Sequence, residues 1–141
     1  MTDAGTAPTL VVGLGCQRGC PVSTLRALLD QALEAHRIPL RQIKALASID
    51  LKRDEPALIE LAEQLGLPMS FFSSEQLRPY QSQLSHHSQI AFERTGCYGV
   101  AESAALALAG QLVNAPVKLL IPRQKYAQAT LALACANQNP R

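Results

Sequence analysis

The sequence predicts a single α/β domain over residues 1–141, built on a mixed, mainly parallel β-sheet with helices on both faces and an antiparallel C-terminal strand pair. The chain has 141 residues, 48% apolar and 17% charged, which suits one buried core. Short apolar runs alternate with segments of helical periodicity, as in sheets of parallel strands. The last two runs, residues 118–121 and 129–135, are separated by a turn predicted at 122–125, and so short a connection joins antiparallel strands.

The first two strand–helix units have the clearest patterns. Residues 9–14 (TLVVGL) form a β-branched apolar run typical of a strand buried on both faces. Apolar residues then recur at three- and four-residue steps, which predicts a helix over residues 22–36. A second strand is predicted at Ile43–Ile49, followed by a helix around residues 58–65 that Gly66 closes.

The third unit is shorter. Residues 68–72 are predicted to be a strand, and Ser73 followed three residues later by Gln76 predicts a capping box. Pro79 is expected to stop the short helix that begins there.

The next stretch, residues 80–93, is polar and shows neither period, so it is predicted to be a loop or a weak strand at 89–92. Small apolar residues at helical spacing then predict an Ala-rich helix over about residues 99–109. Such a helix can approach the sheet closely.

Composition excludes several classes of protein. Thirteen Lys and Arg against eleven Asp and Glu give a net charge of +2, which does not suit a nucleic-acid-binding domain. No run approaches the ~18 apolar residues of a membrane helix. Asp3 stands where a secretory signal carries a basic residue, which predicts a cytoplasmic protein. The four cysteines match no zinc-binding spacing, and neither a metal nor a cofactor is expected.

The charge is distributed unevenly along the chain. Residues 1–102 carry nine basic and eleven acidic side chains, whereas residues 103–141 carry four basic side chains and no acidic one. This asymmetry suggests that the last third faces an anion. A solvated basic surface explains it equally well.

Ligands of such folds bind beyond the carboxyl ends of the strands, next to helix N-termini. The first segment with this placement is residues 13–21 (GLGCQRGCP). Gly15 and Gly19 allow a ligand to approach the backbone, and Arg18 suits a carboxylate or phosphate. The spacing matches neither the dinucleotide fingerprint nor the Walker motif, so a plain tight turn remains as open as an anion site.

Two further segments have the same placement. Residues 48–55 carry Lys52 among three acids, which fits either an anion site or a self-compensated turn with Asp54 as N-cap of the next helix. Residues 95–103 precede the Ala-rich helix, and Glu102 falls in its first turn. An acid there stabilises the helix dipole, or acts as a general base.

Cys16 is a candidate nucleophile, because a helix N-terminus and Arg18 would lower its pKa. No histidine has the spacing of a matching base, and a packed thiol is the simpler interpretation. His86 and His87 are adjacent, so on a strand they would face opposite sides, and solvated side chains are favoured over metal ligands.

Together these segments resemble the cobalamin-biosynthesis family that comprises CobE and the C-terminal domain of CbiG. The likeness spans residues 10–134, and the short length is most similar to the stand-alone, CobE-like members. Gln17 and Cys20 depart from the family pattern, and Gln17 removes one positive charge from the implied site. The resemblance is carried by five segments in order: GLGCQRG at 13–19, SIDLK at 48–52, FFS at 71–73, GVAESAA at 99–105, and Lys125 followed by TLALA at 130–134.

The resemblance implies a protein of the oxygen-dependent corrin pathway that binds a precorrin or corrinoid intermediate around or after ring contraction, with other corrin-pathway enzymes as further partners. These ligands carry carboxylates around an apolar ring, so their receptor needs cations, backbone N–H groups and apolar surface. The residues expected to bind the ligand are Gly15, Cys16, Arg18, Gly19, Lys52, Thr95, Gly96, Tyr98, Glu102 and Lys125.

Function hypotheses of different classes remain open at this point. One is a carrier or accessory protein that holds the intermediate without turnover. Another is a lactone hydrolase or C–C-cleaving enzyme with Glu102 or Cys16 as acid, base or nucleophile. A third is a small phosphate- or nucleotide-binding protein that uses the glycine loop.

Overall fold

A computed structural model describes residues 9–85, 87, 89–95, 99–113 and 116–136. Within this part of the chain no helix is long and apolar enough to cross a membrane. The helices and strands in chain order are β1 (Thr9–Cys16), α1 (Val22–Ala35), β2 (Ile43–Ile49), α2 (Pro56–Leu65), β3 (Met69–Phe72), α3 (Ser74–Leu77), α4 (Gln89–Thr95), α5 (Val100–Leu112), β4 (Val117–Tyr126) and β5 (Ala129–Ala136).

The five strands form one mixed sheet in the order β3-β2-β1-β5-β4. β1 pairs with β2 in parallel, and β2 pairs with β3 in parallel. β5 is antiparallel to both β1 and β4. The predicted fold class, with its antiparallel pair near the C-terminus, is confirmed.

Apolar cores lie on both faces of the sheet. On one face, leucines of α1 and α2 pack against β1 and β5. On the other face, the small residues of α5 pack against β1, β2 and β5. Gly13 of β1 permits this close approach, because a Cβ there would overlap the carbonyl oxygen of Ala101 and lie 2.7 Å from the backbone nitrogen of Ala105.

Local signals set several helix ends. Gly66 closes α2 in the left-handed conformation at φ 67°, which glycine adopts without strain. The capping box before α3 is present: the N–H of Gln76 donates to the hydroxyl of Ser73 at 3.1 Å, and the Gln76 side chain accepts from the N–H of Ser73 at 2.8 Å. The expected N-cap of α2, Asp54, is wrong. Glu55 holds that position without a side-chain cap, because Pro56 sets the first helical residue.

The polar stretch before α5 contains a helix rather than a weak strand. A 3-10 turn runs to Gln83, and α4 then occupies Gln89–Thr95. Gln, Ala, Glu and Arg have high intrinsic helix propensity, and in a short segment without clear periodicity this propensity favours a helix over a strand.

The predicted turn at residues 122–125 is also wrong, because these residues lie within β4. The hairpin turns at residues 127–128 instead, with Ala127 at φ 54°. Pro122 suggested a turn, yet β4 is one of the two edge strands of the sheet, and an edge strand tolerates a proline at an irregularity.

Candidate functional site

A cleft of about 640 Å³ lies at the carboxyl edge of the sheet. It lies among the end of β1, the end of β2 with the 3-10 turn that follows, the start of α5, and the β4–β5 hairpin. Antiparallel pairing brings the hairpin there, because Cys16 pairs with Ala129 and the turn therefore lies beside the end of β1. Ligands of open α/β sheets bind at this edge.

Four cationic side chains line this cleft, and the described lining residues include no Asp or Glu. Arg18, Lys52 and Lys125, which were expected from three separate segments, meet here. The fourth cation is Arg123. Arg18 and Lys125 are exposed, whereas Lys52 and Arg123 are partly buried. Since no carboxylate among the described lining residues compensates these charges, the cleft favours anions.

Much of the remaining lining is apolar. It includes Ile49, Val100, Leu51 and Ile90, and the last two are 63% and 64% exposed. Side chains of this size, when exposed, leave apolar surface for a ligand to cover. Cations beside apolar surface suit an anion with an apolar body.

The N-terminus of α5 opens into the same cleft. Gly99, Val100 and Ala101 line it, and no side chain of the described residues caps this end of the helix. Ser103 donates its backbone N–H at 3.0 Å and its hydroxyl at 2.5 Å to the carbonyl of Gly99. The N–H groups before Ser103 precede this first helical bond, and they give the cleft a partial positive charge.

The glycine-containing loop after β1 is held from two sides. The N–H of Gln17 donates to the carbonyl of Gln128 at 2.9 Å, and the N–H of Gly19 donates to the Glu55 carboxylate at 2.9 Å. Gly15 lines the cleft, but Gly19 is not among the lining residues. The Gly19 N–H therefore fixes the loop to the start of α2 and is not directed at a ligand.

The environment of Cys16 does not lower the pKa of its thiol, which agrees with the packed thiol that the sequence favoured over a nucleophile. Burial, followed by the negative charge of Glu55 and the thiol of Cys20, raises the pKa of the Cys16 thiol to about 12, although Lys52 acts to lower it. Cys16 lines the cleft. Its thiol stays protonated at neutral pH, so it offers an S–H group and not a nucleophilic thiolate.

Glu102 is buried, with 1% of its surface exposed, and it is not among the cleft-lining residues. Its Oε1 accepts the N–H of Ser85 at 2.8 Å, and its Oε2 accepts the N–H of Arg123 at 2.8 Å and the hydroxyl of Ser85. A carboxylate that already accepts three donors is poorly placed to take a proton from a ligand. Through these hydrogen bonds Glu102 instead connects α5 to β4 and to the segment before α4.

Of the three remaining residues expected in the site, the structure describes one. Thr95 is the last residue of α4, and Gly96 and Tyr98 lie outside the described residues, as does His86. His87 is exposed, and its Nε2 lies 3.1 Å from the carbonyl oxygen of Gln81. No group of three His, Cys, Asp or Glu that could hold a metal occurs in the part of the chain that the structure describes.

Sequence reasoning did not assign Arg123 to the site, because none of the five segments that carry the family resemblance contains it. The pairing of β4 with β5 is irregular between Ile121 and Gln124, so Pro122 and Arg123 stand opposite a single position of β5. This is a β-bulge, a device that redirects a side chain next to a binding site. A proline followed by a basic residue within a strand-like stretch was the available signal.

Comparison with known proteins gives consistent matches over most of the chain. The family model described as cobalamin synthesis G C-terminus matches residues 10–134. Protein CobE of Sinorhizobium sp is 37% identical, over 94% of this chain and 82% of that protein. A crystal structure of CobE, a protein from the cobalamin (vitamin B12) biosynthetic pathway, has a TM-score of 0.87 and 44% identity, covering 91% of this chain and 90% of that one.

A longer relative matches in part. Cobalt-precorrin-5A hydrolase of Priestia megaterium is 33% identical over 72% of this chain, and the match spans 26% of the hydrolase. Three quarters of that enzyme therefore has no counterpart in the aligned region.

Proposed function

The chain belongs to the cobalamin synthesis G C-terminus family, and from this premise we propose that its cleft binds a carboxylate-rich precorrin or corrinoid intermediate, which the protein carries without chemical change. The chain is a cobalamin biosynthesis protein of the type formed by CobE and the C-terminal domain of CbiG. The observation that carries the proposal is the cleft lining, in which four cations and exposed apolar side chains occur without a described acid.

The ligand chemistry matches this lining. Corrin precursors have acetate and propionate carboxylates around an apolar macrocycle, and carboxylates are bound best by charge-assisted hydrogen bonds. The cleft volume of about 640 Å³ lies within the range of about 300–1,000 Å³ for small-molecule sites. Leu51 and Ile90 supply apolar surface for the ring.

The enzyme hypothesis, a lactone hydrolase or C–C-cleaving activity, draws on the partial match to the hydrolase. The two side chains that sequence reasoning offered for it are poorly suited to such chemistry. Cys16 holds its proton, and Glu102 is buried and accepts three hydrogen bonds. A carrier or accessory role, with delivery to other enzymes of the corrin pathway in the cytoplasm, fits the site better.

Titration with pathway intermediates from both sides of ring contraction tests the proposal. Visible absorption of the macrocycle reports binding, and mass spectrometry of the recovered ligand reports turnover. Tight binding with unchanged ligand mass is expected. A changed mass would make the protein an enzyme, and absence of binding to every intermediate would contradict the proposal.

Charge-removing variants connect the binding to the cleft. Arg18→Gln and Lys52→Gln each weaken binding about two- to five-fold, because a partly solvated cation contributes up to about 1 kcal/mol. The loss shrinks at high salt. Lys44→Gln is the matched control, since Lys44 is exposed at the amino end of β2, across the sheet from the cleft.

A further inference from the structure

We infer that Arg123 is the fixed anion anchor of the cleft, which binds one ligand carboxylate through two N–H groups, and that Glu102 is a positioning residue that holds Arg123 in place. This inference rests on the binding function proposed above. It names the side chain by which the cleft distinguishes a free carboxylate from an ester or amide.

The first observation is an unpaired donor. The Nε of Arg123 is buried and has no hydrogen-bond partner within the described structure, and Arg123 lines the cleft. A buried N–H without an acceptor is destabilising, so a small turn of the guanidinium that brings this N–H to a ligand oxygen in the cleft is favoured. The guanidinium presents Nε–H and a neighbouring N–H as a planar fork that fits both oxygens of one carboxylate.

The second observation is the way the Arg123 backbone is held. The bulge in β4 places Pro122 and Arg123 opposite one position of β5, and the Arg123 N–H donates to Glu102 of α5 at 2.8 Å. Glu102 is itself fixed by the N–H and the hydroxyl of Ser85. Arg123 therefore has a backbone fixed by a buried carboxylate, whereas Arg18 and Lys125 are exposed.

This difference assigns different roles to the cations. An exposed cation on a long side chain attracts an anion but is screened by salt and loses side-chain entropy when it is ordered. A partly buried guanidinium on a backbone that is already held loses less side-chain entropy, and its fork has a geometric preference. The exposed cations draw the ligand in, and Arg123 recognises the carboxylate.

The test uses a pair of corrin probes, cobyrinic acid with free side-chain carboxylates and its fully esterified methyl ester. Dissociation constants are measured by absorbance titration for the full chain and its variants. Arg123→Gln is expected to weaken binding of the acid about 10- to 100-fold, the range for a hydrogen-bonded charged pair, and to change ester binding much less. Arg123→Lys recovers only part of the loss, because an ammonium keeps the charge but not the fork.

Two lysines serve as controls. Lys125→Gln removes the same charge from the same cleft, and we expect about a two- to five-fold loss. Lys118 is exposed near the far end of β4, where it pairs with Cys135, and Lys118→Gln should leave both dissociation constants unchanged.

Glu102→Gln is expected to lower the acid-to-ester preference, whereas a purely structural role would lower thermal stability and leave that preference intact.

Each outcome has a distinct meaning. If the unmodified protein binds the acid and Arg123→Gln costs no more than Lys125→Gln, the anchor is overturned while the binding function stands. If the unmodified protein binds neither probe nor any pathway intermediate, both inferences are overturned. If Arg123→Gln does not fold, Arg123→Lys decides, and wild-type affinity and preference in that variant would overturn the two-point contact.

Discussion

Glu102→Gln gives a sharp test of the buried hydrogen-bond cluster, because it replaces a carboxylate with an amide of nearly the same shape. Oε1 accepts from the Ser85 N–H, and Oε2 accepts from the Arg123 N–H. Whichever way the amide is oriented, its NH2 group faces one of these two N–H donors. One donor therefore loses its acceptor, and the other bond loses the contribution of the negative charge.

The expected magnitude follows from these bonds. Both are partly buried, so the unpaired donor costs about 1–2 kcal/mol and the lost charge about 0.5–1 kcal/mol, or about 1.5–3 kcal/mol together. With an unfolding entropy of about 2.1 cal/mol/K per residue over 141 residues, the melting temperature should fall by about 5–10 °C.

Differential scanning calorimetry at pH 7 measures this shift. Glu63→Gln is the control, because Glu63 is exposed on α2, and its melting temperature should stay within about 2 °C of the unmodified chain. A shift for Glu102→Gln as small as that of the control would refute the assignment of Glu102 as an acceptor of these bonds.

Three further predictions address the loop and the helix contact. Gly13→Ala should lower the free energy of unfolding by at least about 2 kcal/mol in urea titrations, because the new Cβ overlaps the α5 backbone; an unchanged midpoint would contradict this packing. Alkylation of Cys16 by iodoacetamide at pH 8, followed by peptide mass spectrometry, should be about a thousandfold slower than in the urea-unfolded chain, because burial raises the pKa to about 12. Equal rates would contradict the burial. Glu55→Gln should speed this alkylation, because the charge of Glu55 raises the pKa of Cys16 and because the loop loses the bond from the Gly19 N–H to Glu55. A slower reaction would contradict the statement that Glu55 raises this pKa.

Sequence reasoning succeeded for the fold where strong periodicity agreed with local signals. β2 has the predicted bounds, and α1 begins at the predicted Val22. It failed where one residue type carries two meanings. A proline such as Pro122 is typical of turns, but here it occupies a bulge in an edge strand. Whether a proline forms a turn or a bulge depends on the pairing with neighbouring strands, which the local sequence does not contain. The helix α4 was missed because a segment of seven residues has too few positions to show a period.

The candidate site shows a similar division. Three cations in separate segments were expected to bind one ligand, and Arg18, Lys52 and Lys125 do line one cleft. Whether their loops meet at one edge depends on strand order, which the sequence alone did not settle. The roles of Cys16 and Glu102 depend on burial and on hydrogen-bond partners from distant segments. Residue types and spacing carry neither quantity, so the choice between an activated and a packed thiol at Cys16 depended on the structure.

The position of β5 in the sheet has a consequence for synthesis of the chain. β5 comes last along the described chain, yet it lies between β1 and β4, and its ladder joins residues more than one hundred positions apart, such as Cys16 and Ala129. At about 5–20 residues per second, ribosomal elongation leaves one edge of β1 uncovered for on the order of ten seconds, during which an unpaired apolar strand edge is prone to associate with other chains. The cleft includes residues of β1 and of the β4–β5 hairpin, so it forms only after β5 has paired with β1. A ligand can therefore stabilise only the completed fold, and nascent chains have to reach that stage without its help.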